Sequence, residues 1–420
     1  MKVLVVGSGG REHAIAYYLH RSPLCELVCA ARGNAGMTFA RRVEIEETDI
    51  AGLLEFALKE GIDLTVVGPE TPLSLGIVNV FRERGLLIFG PTREASRIET
   101  SKEFAKELMA RRGIPTALYR TAATIAEAMD ILAGRAYPAV LKFDGLASGK
   151  GVAIARNEED ALEFLRAVFV RKAFGPGKVL IEEFLEGPEF SLMAFVNGRK
   201  VYPLAVAQDH KRARDGDAGP NTGGMGAYSP VPFVDADDIR AAMETIMIPA
   251  ALALADEGCP FTGVLYGGLM KTAAGIKVIE FNARFGDPET EVVLPRLKND
   301  LLQVLLDVLA GKDIELEWSD EVVLGVVLAS EGYPGEYLKG NVIEGIPDEG
   351  VFHMGTALRE GKIVNNGGRV LIATGRGPDY FSARERAYEI AGLVRGRLFY
   401  RRDIGRQALN YEKEKHGGGK

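Results

Sequence analysis

The chain has 420 residues, 47% of them hydrophobic, which is enough to bury more than one core and sets an expectation of roughly two to four domains. Its formal net charge of -7 excludes a protein whose main work is neutralising nucleic-acid phosphates, while leaving room for local basic sites that bind small anions. No apolar run approaches bilayer length, and the three cysteines, Cys25, Cys29 and Cys259, lack a metal-site spacing, so reduced, buried thiols in a cytoplasmic protein are expected.

Val3 to Val6, Leu27 to Ala30, Leu64 to Val67 and Leu86 to Phe89 read as short buried strands. Arg11 to Arg21, Asp49 to Glu60 and Leu73 to Arg84 carry helical periodicity between them, so the first 100 residues predict a parallel α/β layer. Ligands of such layers sit at the carboxyl ends of the strands, and two of those ends are loaded. The first runs Gly7-Ser8-Gly9-Gly10-Arg11-Glu12-His13 into a helix, a phosphate-sized anion site built from backbone N–H groups. It is not a dinucleotide fingerprint, because Glu12 stands where the third glycine belongs. The third strand ends in Gly68-Pro69-Glu70, placing a carboxylate where it can accept from sugar hydroxyls.

A helix from Ser101 to Arg112 leads into a second α/β segment spanning about residues 119–186. Its strand Ala139 to Lys142 enters a glycine-rich turn, Phe143 to Val152, that fails the Walker pattern because three residues separate Gly145 from Gly149 and Gly151 replaces the Ser or Thr. A flap between antiparallel strands, lowering the N–H groups of Gly149, Lys150 and Gly151 onto a triphosphate, fits better. Lys142 and Lys102 are then point charges for phosphate oxygens. Val179 to Glu186 is a strand broken by Gly187-Pro188, and the crossing offers the backbone of Glu182, Glu183 and Phe184 to an adenine edge and Glu189 to ribose hydroxyls. After a strand from Lys200 to Ala207, Gln208-Asp209-His210-Lys211-Arg212 opens a polar, glycine-rich run to Ser229 that includes Asn221 and Thr222. A structureless loop this long inside a compact domain is usually functional, and closure over a substrate is expected. His210 is read as a satisfied surface histidine, not a catalyst.

Asp235 to Glu257 predicts a long helix kinked at Pro249, Gly263 to Lys271 and Lys277 to Asn282 return to sheet, and Asn299 to Ala310 is helical. Along Ile279 to Thr290, Glu280, Asn282 and Arg284 lie two residues apart on an extended run and share a face. A carboxylate beside an amide oxygen suits Mg²⁺, which leaves its remaining positions to water and phosphate. Arg284 cannot ligate a metal, but it can stabilise an anion the metal also touches. Beyond Trp318, strands are predicted at Val322 to Ala329 and Val370 to Thr374, and a final helix from a Ser382/Glu385 capping box. Little in this last segment looks catalytic, and residues 412–420 are expected to be a disordered tail.

The stretches VVGSGGREHAIA, VGPETPL, LKFDGLASGKGV, IEEFLEGPE, QDHKR, GPNTGGMGAYSP and IEFNARFGDPET together resemble the ATP-grasp superfamily and, within it, the phosphoribosylamine–glycine ligase family, in the family's order across essentially the whole chain. Phe143 and Ser148 depart from the small residues the family commonly has in the flap; Phe143 alternates away from Lys142, so packing is expected to change and phosphate contact is not. The resemblance implies an α/β and α+β multidomain chain: a pre-ATP-grasp layer over residues 1–100, an ATP-grasp domain over 101–316 with a mobile flap subdomain, and a small β-rich domain over 317–411. It implies an ATP-dependent carbon–nitrogen ligase of purine synthesis, joining glycine to 5-phosphoribosylamine through a glycyl phosphate, with Mg²⁺ or Mn²⁺, acting as a monomer or dimer and needing neither nucleic acid nor membrane. In that reading Glu280 and Asn282 hold metal and Arg284 and Lys142 stabilise the transferring phosphoryl group. The amine's phosphate lies on Gly9-Gly10-Arg11 with its ribose near Glu70, and Asp287, Asp209, Lys211 and Arg212 are candidates for glycine. The alternatives are a carboxyaminoimidazole or formate-using ligase of the same superfamily, against which the QDHKR and GPNTGGMGAYSP stretches speak, and a catalytically silent nucleotide-binding protein, which has no need of paired metal ligands and an anion clamp.

Overall fold

The structure, a computed structural model, describes residues 1–147 and 151–417. Gly149 and Lys150 of the expected flap lie outside those residues, as does Ser148. The mixed α/β multidomain architecture expected from the sequence is present.

Residues 1–90 fold as a five-stranded sheet in the order Arg41–Val43, Leu27–Arg32, Lys2–Gly7, Leu64–Val67, Ile88–Phe89, with every pairing parallel. The central strands are buried and largely apolar, as at Val3 to Val6 and Val28 to Ala31, because crossover helices cover both faces. The helix expected over Leu73 to Arg84 is two helices, Glu70–Ser74 and Ile77–Glu83, since Gly76 at φ 84 breaks it.

The flap subdomain is a four-stranded antiparallel sheet in the order Tyr119–Ala122, Val179–Glu183, Ala139–Phe143, Val152–Ala155. Its helices, Ile125–Ala133 and Glu158–Phe169, are capped by Thr124 and Asn157, whose side chains accept from Glu127 and Asp160 N–H groups. Phe143 points into this small core, 5.4 Å from the Phe174 ring, so the departure at that position fills space behind the phosphate-facing side.

A second antiparallel sheet, in the order Lys200–Pro203, Glu189–Asn197, Thr262–Thr272, Gly275–Asn282, carries the expected metal strand on its edge. The strand expected over Lys200 to Ala207 stops at Pro203. The long helix expected over Asp235 to Glu257 consists of Ala236–Ala242, a π turn over Met243–Met247, and Ile248–Asp256. Pro249 lacks the N–H that would continue the regular ladder, and a π turn absorbs the gap.

The polar run after Gln208 is not a structureless loop. Gln208–Asp209 and Gly226–Ser229 are strands at the edge of the C-terminal sheet, whose order continues through Val322–Ser330, Arg369–Gly377 and Val351–His353, and Arg212–Arg214 pairs with Ala218–Asn221 in a hairpin. A Cβ at Gly226 would lie 2.6 Å from the Gly325 carbonyl oxygen, so a glycine is what lets this polar segment join the ladder. The C-terminal segment is therefore bonded to the middle of the chain, and residue 316 is not a clean boundary in space. The last domain helix, Tyr380–Leu393, is capped by Asp379, which accepts from the Ser382 N–H, and not by Ser382 itself. Arg406–Gly417 is helical, so the disorder expected from residue 412 is replaced by a helix as far as 417. The cysteines are free thiols, but only Cys29 is buried; Cys25 and Cys259 are half-exposed. Among the described residues no helix is long and apolar enough to cross a membrane.

Candidate active site

Gly275–Asn282 pairs with Thr262–Thr272 through an irregularity: Gly268 faces Glu280 while Leu269 faces Val278, leaving Ile279 as the extra residue. The bulge frees the Ile279 carbonyl, which accepts from Lys142 Nζ at 2.8 Å across the gap to the flap sheet. Glu280 and Asn282 line a cleft of about 590 Å³ with Lys102, Lys142, Glu182, Arg284 and, from the N-terminal layer, Arg11 and Glu70. A second lobe of about 440 Å³ shares Lys142, Glu182, Asp209, Lys211, Asn221, Thr222 and Glu280 with the first. It is lined further by Glu183, Phe184, Glu189 and Arg212.

The cations of the site are already paired. Lys142 and Lys106 both reach Glu182 Oε2, at 3.0 and 3.1 Å, and Glu182 Oε1 is buried without a hydrogen-bond partner. Burial pushes Lys106 down to about 8 although Glu182 opposes the shift. Lys102 Nζ donates to the Gly145 carbonyl at 3.0 Å, tying the flap turn to the helix Lys102–Arg112. Arg284 is held by Glu99 at 3.1 Å, Glu70 at 3.3 Å, Asn282 Oδ1 at 3.2 Å and the Phe285 carbonyl at 3.1 Å. Its plane is thus fixed by groups from three parts of the chain. Burial works against the charge on Glu280, yet Lys211, Lys142, Lys102 and Arg284 outweigh it and hold the carboxyl below its ordinary pKa. The carboxylate is ionised and has no hydrogen-bond donor among the described residues, as a metal ligand should be. Those residues contain no cluster of three or more His, Cys, Asp or Glu fit for a metal. A site of two protein oxygens therefore suits an ion that takes its other ligands from phosphate and water.

In the second lobe the Glu183 carboxylate accepts from the Leu118 N–H and from Lys277 Nζ, both at 3.1 Å, so its side chain serves the strand crossing. The Phe184 ring is 38% exposed at that lobe, a flat apolar surface for a base. Glu189 is bridged to Lys211 at 2.9 Å. Arg212 lines this lobe alone, donating to the Gly219 carbonyl at 2.9 Å.

Between the lobes, Asp209 stands among like charges. Burial raises its pKa to about 7; Lys211 opposes the shift, and Glu289, Glu189 and Glu280 reinforce it. Burial would discharge Lys211, but Asp209 and Glu189 hold it well above the usual lysine range. Glu289, in the Gly286-to-Thr290 stretch but given no role from the sequence, accepts from Ser191 Oγ at 3.0 Å and Tyr266 OH at 2.8 Å. Tyr266 was not singled out either: it faces the site from the opposing strand, and register alone could have found it. His210 is buried, not on the surface; burial lowers it to about 4 and its Nδ1 has no partner.

Of the glycine turn at the first strand, Gly9, Gly10 and Glu12 are absent from the lining of both lobes. Glu12 accepts from the Gly9 N–H at 2.6 Å and from Arg11 Nε at 2.5 Å, capping its own helix. A Cβ on Gly10 would meet Glu291 Oε1 at 2.4 Å, and one on Gly9 would meet Asp287 Oδ2 at 3.4 Å. The chain's own carboxylates thus occupy the helix N-terminus expected to receive a substrate phosphate. Arg11 alone of that turn reaches the cleft, donating to the Phe285 carbonyl at 3.0 Å. Beside it Glu47, unread in the sequence, is pushed up to about 7 by burial and then by Glu12 and Glu70, against Arg11. Asp287 is committed to Arg369, 3.2 Å away, from the C-terminal sheet.

Three family models match in succession: Phosphoribosylglycinamide synthetase N domain over residues 1–99, ATP-grasp (A) domain over 100–290, and C domain over 323–407. The chain is 51% identical over 417 residues to the phosphoribosylamine–glycine ligase of Halalkalibacterium halodurans, with 97% of each chain covered. It is 49% identical over 419 residues to that of Listeria innocua, covering 97% of this chain and all of the other. The crystal structure of phosphoribosylamine–glycine ligase from Thermotoga maritima superposes with a TM-score of 0.86 at 37% identity, over 96% of this chain and 100% of that one. A biotin carboxylase domain from Hydrogenobacter thermophilus, 18% identical with a TM-score of 0.73 over 95% of this chain and 91% of that one, shares the fold alone. With every segment matched in order, the chain belongs to the phosphoribosylamine–glycine ligase family and is an ATP-grasp ligase.

Proposed function

We infer that the chain joins glycine to 5-phosphoribosylamine, with ATP cleaved to ADP and phosphate, and that the ATP-derived group and both substrates meet in the cleft described above. The observation that carries this reading is that Lys102, Lys142, Glu280, Asn282 and Arg284 share one cavity with Arg11 and Glu70 of the N-terminal layer. Glycine's carboxylate takes the γ-phosphoryl group, giving glycyl phosphate; the amine then attacks the acyl carbon and phosphate leaves. Glu280 and Asn282 would hold Mg²⁺ or Mn²⁺, which would supply charge neutralisation to the phosphates. Lys142 and Lys102 present positive charge to phosphate oxygens, and Arg284, its plane set by Glu70 and Glu99, faces the transferring group without reorganising. The adenine edge meets the backbone of Glu182 to Phe184 under the flap, and Glu189 its ribose.

Asp209 receives glycine's ammonium and Lys211 its carboxylate, with Glu70 near the ribose of the amine. Arg212 and Asp287 are not glycine ligands in this reading, because the first lines the nucleotide lobe and not the first cleft and the second is held by Arg369. We place the enzyme in the cytoplasm as a monomer. The test is ADP release measured against glycine and freshly made phosphoribosylamine: release is expected to require both. ADP release supported equally by formate or bicarbonate refutes the substrate assignment.

A further inference from the structure

The C-terminal segment looked devoid of chemistry in the sequence, yet its strand Arg369–Gly377 sends its first side chain into the cleft. Arg369 Nη1 donates to the Asp287 carbonyl at 2.8 Å and the Gly223 carbonyl at 2.5 Å, and Nη2 lies 3.2 Å from Asp287 Oδ2. This approach depends on Gly223, where a Cβ would sit 2.8 Å from the guanidinium carbon. Among the described residues Nε has no acceptor, so a partly buried guanidinium that lines the cavity keeps an unused donor. Across the same segment Arg11 Nη1 donates to the Phe285 carbonyl at 3.0 Å. Carbonyls two residues apart are at most about 7 Å from each other. Both guanidinium groups line the same cavity as Asp287; Arg11 works against the charge on Arg369, and Asp287 supports the charge on each.

Two forked cations facing one gap suit a tetrahedral dianion better than a carboxylate, because a phosphate offers oxygens to both forks at once. The helix N-terminus nearby is closed to such an anion by Glu12, Asp287 and Glu291. We propose that Arg369, reaching in from the C-terminal sheet, binds the phosphate of the phosphoribosylamine substrate together with Arg11. The proposal rests on the ligase reading above and adds to it the group that recognises the phosphoester. The C-terminal domain then takes part in substrate selection, and Asp287 holds Arg369 in place until the phosphate arrives.

The experiment compares phosphoribosylamine with ribosylamine, which has the same nucleophile and no phosphate, in wild type, Arg369→Met and Arg369→Lys. Glycine-dependent ADP release by wild type tests the ligase reading separately. Arg369→Met is expected to lower kcat/KM for the phosphorylated amine about 30-fold or more while leaving that for ribosylamine within about threefold, with KM for ATP and glycine unchanged. Arg369→Lys keeps the charge and loses the fork, and is expected to lose about tenfold on the phosphorylated amine alone. Should Arg369→Met not fold, the lysine variant decides the matter. Equal losses on both amines, as a merely structural clasp on Gly223 and Asp287 would give, or no loss on either, overturns the proposal.

Discussion

Glu182→Gln removes the one anion shared by two buried ammonium groups. The three side chains are 3–5% exposed, and a single oxygen, Oε2, takes both lysines. What remains for Lys106 is Thr116 Oγ1 and the Ala117 carbonyl, and for Lys142 the Ile279 carbonyl. Breaking a buried pair from one side typically costs about 3–5 kcal/mol. Loss of a proton sets a ceiling: discharging a lysine of ordinary pKa at pH 7 costs about 5 kcal/mol, so the variant cannot lose more than that per lysine. Lys106, already lowered to about 8 by burial, discharges first. Once it is neutral in the folded variant, the unfolded chain binds one more proton, and stability rises with pH by about 1.4 kcal/mol per unit. Wild type lacks this slope below about pH 8, where its Lys106 is charged in both states. The deficit of Glu182→Gln is thus expected to be about 3–5 kcal/mol at pH 7 and about 1 kcal/mol smaller at pH 8. It should shrink further with saturating Mg·ATP, whose phosphates replace the lost charge. Hydrogen exchange read on peptides covering Val179–Glu183 reports the flap sheet directly, whereas the single tryptophan, Trp318, lies in another part of the molecule. A deficit under about 1 kcal/mol at pH 7, or one that grows with pH, refutes the argument that Glu182 is the counter-charge of this site.

Three further outcomes follow from the same geometry. Glu280→Ala should lower kcat by about two orders of magnitude or more with the fold intact by circular dichroism; unaltered turnover would remove the metal assignment. Because Asp209 must be ionised to hold an ammonium and is raised to about 7, KM for glycine should climb as pH falls below about 7. Asp209→Asn should raise that KM about tenfold or more at every pH and abolish its pH dependence, and a retained acid limb would place the titrating group elsewhere. Burial and the facing His353 hold His13 at about 3, so the folded chain refuses the proton that the unfolded chain takes below about pH 6.5. The stability linked to a neutral His13 is complete above that pH and is lost by about 2 kcal/mol at pH 5. Raised carboxyls such as Glu47 and Asp209 push the other way, so the clean measurement is differential. His13→Asn keeps an acceptor for the His353 N–H, and its destabilisation relative to wild type should be about 2 kcal/mol smaller at pH 5 than at pH 7.5 in urea titrations. An equal penalty at both values would show that His13 is protonated in the folded state.

What could be read from the sequence was what neighbours along the chain decide. The N-terminal strands were legible because each is a short apolar run closed by glycine, and the edge strand with Glu280 and Asn282 because side chains two apart share a face. What escaped was decided by partners far away in sequence. Gln208–Asp209 and Gly226–Ser229 carry no strand pattern of their own; the second takes its ladder from Val322–Ser330, nearly a hundred residues on, and the first pairs with the second. Glu12 was read as part of an anion site from its place in the glycine turn, but three residues after Gly9 it is also a capping-box acid, and the capping role holds in the fold. Glu289 matters only because a turn brings it against Asp209, and no spacing rule connects positions 209 and 289, whereas Tyr266 follows from its register opposite Asn282.

The charge pattern of the site points to exchange and not to vacancy waiting to be filled. Four of the cations that the chemistry needs are already matched by a carboxylate, Lys142 by Glu182, Arg284 by Glu70 and Glu99, Arg369 by Asp287, and Lys211 by Glu189, while Lys102 is held by the Gly145 carbonyl. Buried charges without partners are costly, so a ligand-free cleft built to bind polyanions must supply internal counter-ions. Those same carboxylates come from different segments, Glu70 from the N-terminal layer, Glu182 from the flap sheet and Asp287 from the turn after the metal strand. A phosphate entering at Arg369 loosens a contact that ties the C-terminal sheet to the turn after the metal strand. Binding at the nucleotide end is linked to the position of the flap sheet through Glu182 and Lys106, which bridge it to the helix Lys102–Arg112, and through Lys142 and the Ile279 carbonyl, and binding of the phosphorylated amine to the C-terminal sheet through Arg369 and Asp287. The linkage requires that the affinities for ATP and for phosphoribosylamine depend on each other by the same factor in both directions.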